Sequence, residues 1–130
     1  MSYHYLSTTS CRTDIYICIL DITLIQALSY RIHYGKLVAE SKFRARPEVF
    51  TALIQAGDRE GIMRELTDVA VEQQVIQRVR TKAARYARPD DGQNASAFKV
   101  DPEIIAQIYG EFLIPLNKDV QVEYLMQRVN

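Results

Sequence analysis

A chain of 130 residues, 48% of them hydrophobic, is long enough to bury one core and too short to divide comfortably into two domains. Lysine plus arginine and aspartate plus glutamate both number 16, so no surplus of either sign draws the chain to nucleic acid or to an anionic membrane surface. The two cysteines, Cys11 and Cys18, make neither a disulfide framework nor a CxxC pair, which points to a reducing, cytoplasmic setting.

Residues 1–20 hold β-branched and aromatic residues with no helical stripe before about Thr13. Three options stay open for them: an arm, the first turns of a helix, or sequence foreign to the fold. The run from Ile15 to Leu28 is apolar, but Asp21 interrupts it and Gln26 polarises it short of the ~20 apolar residues a bilayer span needs, so no membrane helix is expected. The first ten residues also lack the basic segment that opens a signal peptide.

From about Asp21, Leu24, Leu28, Gly35 and Val38 fall on one helical stripe. They predict one long helix ending near Arg46, since Pro47 disfavours helical geometry in the residue before it. Pro47 suits the first turn of a helix reaching Ala56, Gly57 its stop, and Asp58 the N-cap of the next. That third helical region covers roughly residues 59–87, with a break expected near Thr67 and Asp68. Residues 88–96 read as a loop. Asp101 and Pro102 repeat the cap signature, and the last helix should be kinked by Pro115. Nothing alternates at period two for long, so the reading is all-α.

The informative residues are polar ones in line with apolar positions, because burying an unpaired charge or amide costs several kcal/mol. Arg31 lies on the first stripe and Lys42 continues it; eleven residues are about three helical turns, so both cations face one way. Asp68 and Glu72 are one turn apart and lead into the Val75, Ile76, Val79, Ala83 face. Asn117 and Gln121 are one turn apart in line with Ile114 and Leu125. Three helices thus offer polar pairs to a bundle interior that suits an anion. Each of these residues can equally be a satisfied core polar group or a snorkelling surface side chain, with Arg31 pairing Glu72 and Lys42 reaching solvent.

Other chemistries find no support. His4 and His33 have no metal-ligand spacing, so no metal site is expected. There is no glycine-rich phosphate loop and no nucleophile elbow. The basic stretch at 78–88 has the spacing of a solvated helix face rather than of a nucleic-acid surface.

Three strings remain: RIHYGKLVAESKF at 31–43, DREGIMRELTDVAVEQQVIQRV at 58–79, and KVDPEIIAQIYGEFLIPLNKDVQVEYLMQRV at 99–129. From about Asp21 to the end, the chain resembles the all-helical chorismate mutases of fungi and plants. The resemblance implies a helical bundle of that type with its N-terminal helices missing, residues 1–20 unassigned and residues 21–130 forming the catalytic portion. It implies a cofactor-free Claisen rearrangement of chorismate to prephenate, on the route to phenylalanine and tyrosine. Such a reaction needs confinement of the substrate and stabilisation of charge on the breaking ether oxygen.

By position in these strings, Arg31 corresponds to an arginine that binds a substrate carboxylate, and Lys42 to the lysine that donates to the ether oxygen. Glu72 aligns with the glutamate that accepts from the ring hydroxyl, Gln121 with the second ether-oxygen donor, and Asn117 with a residue beside the carboxylate. Asp68 falls at a variable site position. Gln121 departs from the glutamate usual in fungal and plant enzymes, and Asn117 from a threonine. The relatives are about twice as long, and their N-terminal helix brings a further arginine; Arg12 is the only arginine here before Arg31. Allosteric control by tyrosine or tryptophan is expected to be missing. The resemblance therefore leaves two readings: an active mutase completed by dimerisation, as a homodimer, or a truncated, weak or inactive homologue serving as a helical interaction module that pairs with a full-length relative as a heterodimer. Neither involves nucleic acid or a membrane.

Overall fold

The computed structural model describes residues 3–86 and 101–128, with side chains from residue 11 onward. All their regular structure is helical, as the absence of period-two alternation required. The loop expected over 88–96 lies outside the described residues. The chain divides into two units, residues 1–31 and 32–130.

The first unit is formed by α1 (Tyr3–His33), whose last two residues belong to the second. Residues 3–20 are its first turns, one of the three options open for them. The helix is apolar on every side: Ile15, Ile17, Ile19, Leu20, Ile22, Leu24 and Ile25 are all exposed. Leu24, placed by its spacing on a core stripe, is 58% exposed. By length and composition, Cys11–Ala45 is apolar enough to cross a membrane. That corrects the expectation built on Asp21 and Gln26, which are too few to offset the isoleucines and leucines around them. Core helices of soluble bundles meet the same criterion.

The second unit opens with a break the stripe did not reveal. The helix expected to run unbroken to Arg46 is interrupted at Tyr34, whose carbonyl accepts from both the Leu37 and Val38 amides at 3.0 and 3.3 Å, a local tightening of the turn. α2 (Gly35–Ala45) follows at once. Gly35 is buried, and a Cβ there would lie 2.7 Å from the Asn117 carbonyl oxygen; only glycine lets the two backbones approach this closely. Arg46 then leaves helical geometry (φ −141°, ψ 65°) ahead of α3 (Pro47–Ala56). Gly57, at φ 66°, ends α3 in the left-handed region.

Asp58 caps α4 (Arg59–Leu66) by accepting from the Gly61 amide at 2.9 Å. Thr67 turns extended at ψ 120°. Asp68 restarts the chain as α5 (Val69–Tyr86), accepting from the Val71 amide at 3.2 Å. Asp101 caps α6 (Pro102–Ile108) through the Glu103 amide at 2.9 Å. A π-helical turn, Tyr109–Leu113, leads into α7 (Ile114–Arg128). The widened turn lies just before Pro115, where a disturbance was expected: the proline ring opposes the carbonyl four residues back, at Glu111, and the turn widens there.

Ala39, Phe50, Ile54, Ile62, Leu66, Val122 and Leu125 form the core, drawn from α2, α3, α4 and α7. α5 buries no residue completely; Val75, Ile76, Val79 and Ala83 are half-buried. It packs on α6, where Arg80 meets Glu103 at 2.9 Å. Midway along α2, Glu40 accepts from Tyr124 and Arg128 of α7, both at 2.7 Å, and from Arg44 at 3.0 Å. The Arg128 guanidinium stacks 4.3 Å over the Phe43 ring.

Candidate active site

All but one of the polar residues singled out by spacing lie on or beside α2, α7 and the α4–α5 break, the exception being Arg31. Lys42, on α2, is half-buried, and its Nζ donates to the Leu66 carbonyl at 2.8 Å. Leu66 is the last residue of α4, so the ammonium rests on the negative end of a helix dipole. Burial pushes the Lys42 pKa below its usual value; Asp68 and then Glu72 act in the opposite sense, and Lys118 in the same sense as burial. The α4–α5 joint, α5 and α7 therefore bring Asp68, Glu72 and Lys118 into the field of one ammonium.

Glu72 is half-buried, as its position before the Val75 face predicted, and its Oε1 pairs with Lys118 Nζ at 2.9 Å. The same ammonium lies 3.5 Å from the Thr67 hydroxyl. Asp68 is exposed and spends Oδ1 on capping α5. Asn117 Nδ2 donates to the Ile32 carbonyl at 3.4 Å, and Asn117 Oδ1 accepts from Gln121 Nε2 at 2.7 Å. Gln121 is only 4% exposed, yet its Oε1 is buried without a hydrogen-bond partner. A buried amide normally satisfies its acceptor, so Oε1 is the exception among the described buried side chains.

The second unit thus unites Lys42, Asp68, Glu72, Asn117 and Gln121 around one junction. Arg31 sits on α1, in the first unit, with an exposed side chain. Spacing missed Lys118, although it stands on the line Ile114, Lys118, Gln121, Leu125 at helical intervals. It also missed the Leu66 carbonyl, which no side-chain pattern encodes. What such an arrangement offers is a pair of ammonium donors, two carboxylates and a buried amide in fixed geometry. Those groups can bind an anion that also carries hydroxyl and ether oxygens.

Residues 16–122 match the family model described as chorismate mutase type II. The chain belongs to that family. It is 44% identical over 128 residues, 97% of its own length, to the chorismate mutase of Trichoderma parareesei, and 49% identical over 109 residues to that of Emericella nidulans. A solved chorismate mutase from Candida albicans, in complex with L-Trp, superimposes with a TM-score of 0.77 at 40% identity over 84% of this chain. The chloroplast chorismate mutase from Zea mays does so with a TM-score of 0.73 at 39% identity over 86%. The helical bundle expected from the resemblance is therefore that of the chorismate mutases. The chain spans 45% and 41% of the two fungal relatives and 40% and 44% of the two solved chains.

Proposed function

We propose that the chain is a chorismate mutase, converting chorismate to prephenate for phenylalanine and tyrosine synthesis without a cofactor. The observation that carries this is the convergence of Lys42, Glu72, Asn117 and Gln121 on one junction, in a chain of that family. The rearrangement breaks a carbon–oxygen bond of the ether and forms a carbon–carbon bond within the same molecule, so it asks for no nucleophile. Lys42 donates to the ether oxygen as negative charge develops there, and its anchor on Leu66 fixes the donor before the substrate arrives. Gln121 supplies the second donor: Asn117 holds one amide hydrogen and so orients the other. Glu72 accepts from the ring hydroxyl through Oε2, Arg31 and Asn117 bind carboxylate, and Asp68 borders the hydroxyl side.

The exposed apolar surface of α1 supports association with a second copy of the chain, as a homodimer. The match begins at residue 16 and so takes in most of this helix, which favours a protein interface over a bilayer. Two unpaired, exposed thiols at Cys11 and Cys18 suit a cytoplasmic protein.

Chorismate loss, followed by ultraviolet absorbance, tests the reading. Purified protein should accelerate it, and Lys42→Ala should slow the catalysed rate by roughly a hundredfold or more, the usual scale for a lost oxyanion donor. Arg31→Ala should raise KM and lower kcat/KM. No rate above background would remove the enzyme reading and leave the inactive homologue.

A further inference from the structure

We infer that Lys118 is a positioning residue, which reserves the Glu72 carboxylate for the ligand by holding one of its oxygens and keeping it from Lys42. The inference rests on the proposed mutase site but concerns a residue that the spacing of the sequence had left out.

Glu72 has two cations within reach of its field, Lys42 from α2 and Lys118 from α7. Left to itself, a carboxylate facing a half-buried ammonium closes on it, because opposite charges in a partly dehydrated place attract more strongly than in water. Such a pair would draw Lys42 from the Leu66 carbonyl and consume both the donor and the acceptor that a substrate needs. The structure shows another division of partners. Lys118 takes Glu72 Oε1 at 2.9 Å, with the Thr67 hydroxyl 3.5 Å from its ammonium, and Lys42 keeps Leu66 at 2.8 Å. Glu72 Oε2 is left to accept. The pair is sheltered, with side chains 20% and 26% exposed, so it is less screened than a surface ion pair. Lys118 follows Asn117 directly and precedes Gln121 by three residues, so the same turn of α7 that orients the buried amide also sets the carboxylate.

Two measurements on the full chain test this. The first is the crystal structure of Lys118→Ala, which needs no turnover. Glu72 is expected to swing to Lys42, within about 4 Å of its Nζ, and Lys118→Arg should keep Glu72 in place. An unmoved Glu72 in Lys118→Ala overturns the inference whatever the protein catalyses. The second is a double-mutant cycle in chorismate turnover. Lys118→Ala should lower kcat/KM by roughly five- to tenfold, Lys118→Arg should recover most of that loss, and adding Glu72→Gln to Lys118→Ala should cost far less than Glu72→Gln alone. Additive losses would show that Lys118 acts apart from Glu72 and would also overturn the inference. Absence of turnover in the unmodified protein would count against the proposed function alone, since the structural measurement decides Lys118 by itself.

Discussion

By the resemblance of the C-terminal segment, Gln121 places an amide where a glutamate is expected. A carboxylic acid donates to an ether oxygen only while protonated, whereas an amide donates at every pH. The rate of chorismate conversion should therefore show no decline between about pH 5 and 8 arising from this position. A pH–rate profile of Gln121→Glu, falling over that range where the parent does not, would establish the contrast; a parent profile with the same fall would defeat it. Glu40 gives a second pH effect, on stability. Hydrogen bonds from Arg128, then Tyr124 and Arg44, hold its carboxyl down to about 2, against an ordinary 4.5. A carboxylate depressed on folding stabilises the fold fully above its unfolded pKa, and that contribution is lost as pH falls from about 4.5 toward 2. Denaturation midpoints of Glu40→Gln and the parent should converge over that interval and differ above it.

At the scale of helices, Gly35 is the position where one atom matters most. Gly35→Ala would press a methyl against the Asn117 carbonyl at 2.7 Å, forcing α2 from α7 at a cost of about 1–3 kcal/mol. Urea denaturation should show the loss as a lower midpoint with an unchanged slope. Most of the helix ends here were legible in the sequence, because Pro47, Gly57, Asp58, Asp68 and Asp101 act locally, through backbone geometry or the nearest amides. The break at Tyr34 was not, since it arises from a tightened carbonyl and a long-range approach to Asn117. Nor was the π-helical turn before Pro115, where a proline inside a helix predicts disturbance without saying whether the turn will bend or widen. Lys42, Glu72, Asn117 and Gln121 were legible from their stripes, whereas Arg31 and Asp68, placed inward by the same spacing, are exposed; Lys118 was missed on the very stripe that carried Gln121.

For the molecule as a whole, the proposed pairing rests on α1. Ile15, Ile19, Ile22 and Ile25 are exposed along it, and a helix apolar on every side does not stay in water alone. Sedimentation equilibrium should find a dimer at micromolar concentration, and Ile19→Glu together with Ile22→Glu should yield monomers that keep the helicity of the second unit. A parent protein that sediments as a monomer would contradict the pairing. The sequence showed this apolar run but not its exposure, because periodicity reports which residues share a face and says nothing of what that face meets.

Two residues, Thr67 and Asp68, join α4 to α5, and their number sets the phase of everything after them. Each residue of an α-helix turns the chain by about 100°. Inserting or deleting one at this joint would rotate Glu72 more than a quarter turn about the axis of α5, with every helix still intact and every core side chain of α4 still in place. The joint is thus constrained in length more strictly than in composition: another capping residue can replace the aspartate, but the count of two must hold. A chain can keep its fold and lose its site by a single residue that touches neither.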